Sequence, residues 1–193
     1  MKNGQQLINV RAAYASSLIE KAAERSDFFV LDCDSKEPTK MSDVYLQHPD
    51  ICVSFGIAEQ NMVAAAAGMA TIGYIPFVNT FAQFISMRAL DQVRNSIAYP
   101  NLNVKLVACH YGLDVGKDGV THQTIEDISI FRSIPNFVIL NASDDIECKQ
   151  MVDYCFENEG PVYMRTGKSK VPRIHDENYK FEIGKPDVIK SGS

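Results

Sequence analysis

Six short runs, FFVLDC, ICVS, YIPFV, VKLVACH, FVIL and VYMR, are rich in β-branched and aromatic residues, and stretches of helical periodicity separate them. Strands are expected over 28–33, 51–54, 74–78, 104–110, 137–140 and 162–165, and helices over 9–24, 42–47, 63–70, 80–97, 125–133 and 144–157. An irregular polar segment reaches to 41, and a Gly-rich loop covers 111–122. A strand whose apolar residues are continuous has both faces covered, and a helix between successive strands supplies the crossover that parallel pairing needs. The chain is therefore expected to be α/β, doubly wound around a mostly parallel sheet with helices on both faces. This domain is assigned to 1–170. From 171 to 193 the Pro- and Lys-rich sequence loses periodicity and reads as a linker or tail. Val188 and Ile189 begin something strand-like, so a further C-terminal domain is expected beyond Ser193.

A chain of 193 residues with 46% hydrophobic content can bury one substantial core. The net charge of -5, without a basic run, argues against nucleic acid as a partner. The longest apolar stretch, 62–70, is too short to span a membrane, and the N-terminus lacks the order of a secretory signal. A cytoplasmic protein is expected. Cys33, Cys52, Cys109, Cys148 and Cys155 form an odd set without C-x-x-C spacing and read as reduced core residues. Four scattered histidines complete no zinc pattern, so no metal site on this chain is expected.

In doubly wound sheets ligands gather at the carboxyl ends of strands. The polar residues of this chain collect there: Asp32 and Asp34 after the first strand, Glu59 after the second, Asn79 and Thr80 after the third, His110 after the fourth, Arg165 and Thr166 at the last. Glu59 stands in SFGIAEQNM, between a Gly turn and an Ala-rich helix. Burial would raise its pKa and the helix dipole would lower it. By itself the spacing reads more readily as an acid complementing that dipole. The segment 104–126 holds two histidines and several acids around Gly112, Gly116 and Gly119, which permit tight turns around a ligand.

Together GIAEQNM, NTFAQF, DQVRNSIAY, GKDGVTHQ and PVYMR resemble, in order and spacing, the pyrimidine-binding domain of transketolases, the thiamine diphosphate enzymes. The resemblance runs from about Arg11 to Lys190. It implies that Glu59 hydrogen-bonds a ring nitrogen of the aminopyrimidine and shares its proton, with a raised pKa suited to the task. Phe81 and Phe84 match aromatic residues that pack on the pyrimidine, and Met87 stands where some relatives carry tyrosine. His110, Asp118 and His122 match residues contacting the sugar's carbonyl and hydroxyl groups. Arg165 and Arg11 match arginines that hold the sugar phosphate, against the plainer reading of buried ion pairs. Asp34 joins this set as a substrate-binding candidate.

Where relatives carry serines or threonines after the Asp-x-Asp of the first strand, this chain has Ser35, Lys36, Glu37 and Pro38, which puts part of the substrate contact in doubt. No GDG motif followed by an Asn pair is present. In the family that motif binds the diphosphate and its Mg2+ or Ca2+ on a separate domain. The resemblance thus implies one half of a composite site that transfers a two-carbon ketol unit from a ketose phosphate to an aldose, inactive alone and assembled as a homodimer or heterotetramer. A place in pentose phosphate metabolism follows from the same family. Two alternatives stay open: a deoxyxylulose-phosphate synthase-like fragment, against which His110 speaks, and a noncatalytic assembly subunit of the same fold.

Overall fold

The computed structural model describes residues 6–192; the first five residues of the expected domain and the last of the expected tail lie outside the described residues. A six-stranded, wholly parallel sheet is built from β2 (Phe28–Asp32), β3 (Cys52–Ser54), β4 (Ile75–Phe81), β5 (Lys105–Cys109), β6 (Val138–Asn141) and β7 (Val162–Thr166), in spatial order 3-2-4-5-7-6. A separate antiparallel pair joins β1 (Leu7–Ile8) to β8 (Val171–Pro172).

Helices cover both faces, and the two-residue period of the strands sorts side chains between two cores. Phe28, Val30, Phe77, Val107, Val162 and Met164 pack with α1 (Val10–Ala22), α3 (Ser42–Gln47) and α7 (Asp145–Glu157). Leu31, Val78, Leu106, Ala108 and Tyr163 pack on the other side, with α4 (Glu59–Thr71), α6 (Asp127–Ser133) and the helical segment after β4. Side-chain caps start α1 and α7. The Asn9 carboxamide oxygen accepts from the backbone N–H of Arg11 and Ala12, and the Asp144 carboxylate accepts from that of Glu147.

The long helix expected over 80–97 is corrected in two ways. Strand β4 continues through Asn79 and Thr80 to Phe81, because Asp32 of β2 and Cys109 of β5 extend the register on either side of it. The helix that follows is wound as two π turns, Phe84–Arg88 and Val93–Ala98, around the short α5 (Leu90–Gln92). Such π turns are rare and occur often at functional sites. The irregular segment before 41 contains one helical turn, α2 (Lys36–Thr39), closed by Lys40 in the left-handed conformation.

Between Val171 and Phe181 the chain lies against the domain, and 182–192 are exposed. After β8, the Arg173 guanidinium pairs with Asp145. The His175 imidazole sits between Asp144 at 3.0 Å and Asp187 at 3.2 Å, and stacks on Tyr179. At the opposite end of the sheet, Lys105 is wholly buried and its Nζ donates to the carbonyls of Asn158 and Gly160, both at 2.9 Å. Burial pulls its pKa down to about 8.

Candidate active site

The chain moves from β2 to its outer neighbour β3 and then back across to β4, so the strand order reverses beside β2. At the carboxyl end of this switch point Asp32 and Asn79 are register partners. Buried Asp32 accepts from the Ser35 hydroxyl at 2.9 Å, and Asn79 accepts from the Tyr14 hydroxyl at 2.9 Å while donating to the carbonyls of Leu31 and Phe77. Burial raises the Asp32 pKa, partly offset by the Ser35 hydrogen bonds. This network ties α1 and the turn after β2 to the sheet. Asp34 follows in a left-handed turn, φ 55°, and its side chain is exposed.

Two residues beyond Asn79 on β4, a layer of rings begins. Phe81 ends β4 and its ring lies parallel to that of Phe84, with centroids 5.5 Å apart. The His110 imidazole stacks on Phe81 at 4.2 Å. His122 presents its ring to Phe81 at 5.8 Å and to Phe84 at 5.3 Å, tilted by 66° in both cases. Glu59, the first residue of α4, is 2% exposed. Its Oε2 accepts from Arg88 Nη1 at 2.8 Å, and the Arg88 guanidinium lies 4.3 Å from the centre of the Phe84 ring. Glu59, Arg88, Phe84, Phe81 and His110 therefore form one continuous line of contacts, with His122 against its middle. Met87 is 41% exposed in the same π turn.

The loop after β5 brings in the acids. Gly116 and Gly119 take φ of 69° and 81°, with ψ of -127° and -174°, backbone that a side chain would strain. Between them Asp118 pairs with Lys168 Nζ at 2.9 Å, and this hydrogen bond holds its carboxylate below the usual range. Burial alone would raise Asp114, but hydrogen bonds from Ser169 and from the backbone N–H of Lys168 outweigh it and lower its pKa. Arg11, 7% exposed, donates to the carbonyls of Pro38 and Lys168, while among the described residues its buried Nε has no partner. Burial, then the nearby cations Arg11 and Lys168, pull the His110 pKa down to about 4.

Arg165 lies in β7 opposite Ala108 and Asn141. Its Nε is 3.0 Å from Asp127 Oδ2, its Nη1 is 3.3 Å from Asn141 Oδ1, and its guanidinium stacks at 3.6 Å over Tyr111. Tyr163 donates to the same Asp127 oxygen at 2.7 Å. The guanidinium is thus already engaged by this chain. Four residues that the sequence did not single out as site residues belong to this constellation: Arg88, Lys168, Cys109 and Tyr111. Arg88 follows Phe84 at the one-turn spacing of a helix, a signal that was readable. Lys168 stands at the edge of the tail, where nothing local marks it.

The family model described as the transketolase pyrimidine-binding domain matches residues 6–173. A putative transketolase C-terminal section from Methanocaldococcus jannaschii is 40% identical over 185 residues, 95% of this chain and 58% of that protein. An apulose-4-phosphate transketolase subunit from Actinobacillus succinogenes is 34% identical over 192 residues, 100% of this chain and 61% of that protein. Among solved structures, a split-gene transketolase described as an inactive beta4 tetramer superposes with a TM-score of 0.85 at 41% identity, covering 96% of this chain and 60% of that one. The chain spans about three fifths of the length of these relatives.

Proposed function

The chain belongs to the transketolase family through its pyrimidine-binding domain, and we propose that it supplies the pyrimidine half of a thiamine diphosphate site whose diphosphate half comes from a partner subunit or domain. In this reading the complete enzyme moves a two-carbon ketol unit from a ketose phosphate to an aldose acceptor, in pentose phosphate metabolism. The observation that carries it is the line from buried Glu59 through Arg88 and Phe84 to Phe81 and His110.

The residues present fit the cofactor's pyrimidine end. A buried carboxyl stands near two parallel aromatic rings, and among the described residues the carboxyl's Oε1 has no protein partner. Thr80 Oγ1 and Gln83 Oε1, on β4 and just after it, are buried without partners among the described residues. Glu59 would hold a proton against a ring nitrogen, and Phe81 and Phe84 would bind the ring's face, with Met87 filling space at the edge. When bound, thiamine diphosphate supplies the electron sink for breaking a carbon–carbon bond beside a carbonyl. His110, His122 and Asp118 would orient the ketose's carbonyl and hydroxyl groups, with His110 neutral at physiological pH.

Arg11 and Arg165 are both phosphate-binding candidates, and among the described residues the buried Nε of each makes no hydrogen bond. Arg165 would have to exchange Asp127 for a phosphate oxygen, and exposed Asp34 is a further substrate-binding candidate. Mg2+ or Ca2+ would be held with the diphosphate on the partner's side in this reading. A cytoplasmic setting, with five free cysteines, and assembly as a homodimer or heterotetramer complete the reading. The description of the split-gene relative as an inactive tetramer supports a chain that does not turn over alone.

The test mixes this chain with a diphosphate-binding transketolase subunit, thiamine diphosphate and Mg2+, and assays ketol transfer between a ketose phosphate and an aldose. Turnover only in the mixture is expected. Cofactor binding and intact assembly without turnover would favour a noncatalytic subunit.

A further inference from the structure

His110 follows the last residue of β5 with a left-handed backbone, φ 55°. Neighbouring side chains of an extended strand point to opposite faces. The left-handed turn instead brings the imidazole back beside the preceding side chain, with Nδ1 2.9 Å from Cys109 Sγ. That conformation is uncommon for a residue with a Cβ and costs energy, so the surroundings must hold it. They do so from two sides, with Cys109 at the ring's Nδ1 edge and Phe81 stacked on its face at 4.2 Å and 8°. Cys109 and His110 are 2% and 3% exposed. Among the described residues Cys109 Sγ has no other hydrogen-bond partner, and the imidazole Nε2 has none.

We propose that Cys109 is a positioning residue that sets the tautomer of His110: its S–H donates to Nδ1, so the ring proton sits on Nε2, the nitrogen left for the substrate. The contact allows two arrangements, S–H to Nδ1 or Nδ1–H to sulfur. Sulfur is a weak acceptor and an unprotonated imidazole nitrogen a good one. Burial pushes the Cys109 thiol up to about 12, so it keeps its hydrogen at any physiological pH. Were Nδ1 to carry the hydrogen instead, sulfur would have to serve as the acceptor and, among the described residues, the thiol proton would be left without a partner. With the proton on Nε2, His110 meets a ketose oxygen as a hydrogen-bond donor, not as a base. This catalytic meaning rests on the thiamine-site reading above; the tautomer rests on the fold alone.

Nitrogen-15 NMR of the full chain labelled at histidine tests the assignment. The expected His110 spectrum has a protonated Nε2 and an unprotonated, hydrogen-bonded Nδ1. Cys109→Ala is expected to move the Nδ1 resonance, and Cys109→Ser to hold it near the wild-type position. In the complex with a diphosphate-binding subunit, Cys109→Ala is expected to lower kcat about 10-fold, with Cys109→Ser recovering most of it. A wild-type spectrum with the proton on Nδ1 overturns the proposal, as do unchanged His110 nitrogens in Cys109→Ala. The wild-type spectrum decides the tautomer even if neither variant folds. Absence of turnover in the assembled wild type would overturn the reading of the site and leave the tautomer to the spectra.

Discussion

Glu59 Oε2 accepts a hydrogen bond from Arg88 Nη1 at 2.8 Å, and the same guanidinium covers the Phe84 ring at 4.3 Å. One cation thus touches both the acid and the aromatic layer. The two ends of the pair are unequal: the Glu59 side chain is 2% exposed and that of Arg88 47%. Water can receive the guanidinium at little cost, whereas the carboxylate has no such exit. Arg88 is therefore the partner that yields when another donor approaches Glu59.

Glu59→Gln keeps the shape of the side chain and removes its ability to trade a proton. Ketol transfer in the assembled enzyme is expected to fall by about 100-fold or more, with the circular dichroism spectrum unchanged. Full activity in this variant would remove Glu59 from the proposed proton path.

Phe81→Ala and Phe84→Ala each delete one ring of the parallel pair. Each is expected to weaken thiamine diphosphate binding by about 10-fold, or about 1.4 kcal/mol, in a cofactor titration of the complex. Unaltered affinity in both would mean that the rings are only core.

His110 titrates at about 4 in the folded chain, because burial and then Arg11 and Lys168 oppose its charged form. The unfolded chain takes up this proton near the ordinary value of about 6.5. Between these values the unfolded state binds more protons, so stability is lost as pH falls from about 6.5 to 4. His110→Asn should flatten that part of a denaturant-derived stability profile; an unchanged slope would contradict the depressed pKa.

Lys105 gives the opposite end of the profile. Its folded pKa of about 8 lies below its ordinary 10.5, so between them the unfolded chain holds a proton that the native chain lacks. Stability from this group therefore rises with pH across that window. Lys105→Met is expected to abolish the rise, measured by urea denaturation at pH 7.5 to 10 on an otherwise identical background.

Asp127 is 1% exposed and supports both Arg165 and the Tyr163 hydroxyl. Asp127→Ala leaves the mostly buried guanidinium without its anion. A loss of about 3 kcal/mol in unfolding free energy is expected. A loss below about 1 kcal/mol would show that Arg165 is free to serve an external phosphate.

The strands were legible because burial on both faces leaves continuous apolar runs, and α1, α3 and α7 because their periodicity and starts are local. The segment after Val78 was not. Thr80 and Phe81 join the sheet through neighbours distant in sequence, Asp32 of β2 and Cys109 of β5 among them, and the π turns that follow have no composition of their own. The spacing of Arg88 from Phe84 was readable, but the roles of Arg88 and Lys168 come from contacts across the chain, Arg88 with Glu59 and Lys168 with Asp114 and Asp118.

The sequence by itself determined the layered α/β fold, the gathering of polar residues at one end of the sheet, and the motifs that place the chain among transketolase pyrimidine-binding domains. Those properties follow from periodicity and from local order along the chain. Tertiary structure alone decided that Glu59 meets Arg88, that Arg165 is spent on Asp127 and Tyr111, and that His110 turns back onto Cys109. Each depends on where a side chain lands after strands distant in sequence have paired, and on the burial that this pairing imposes, which no local pattern encodes.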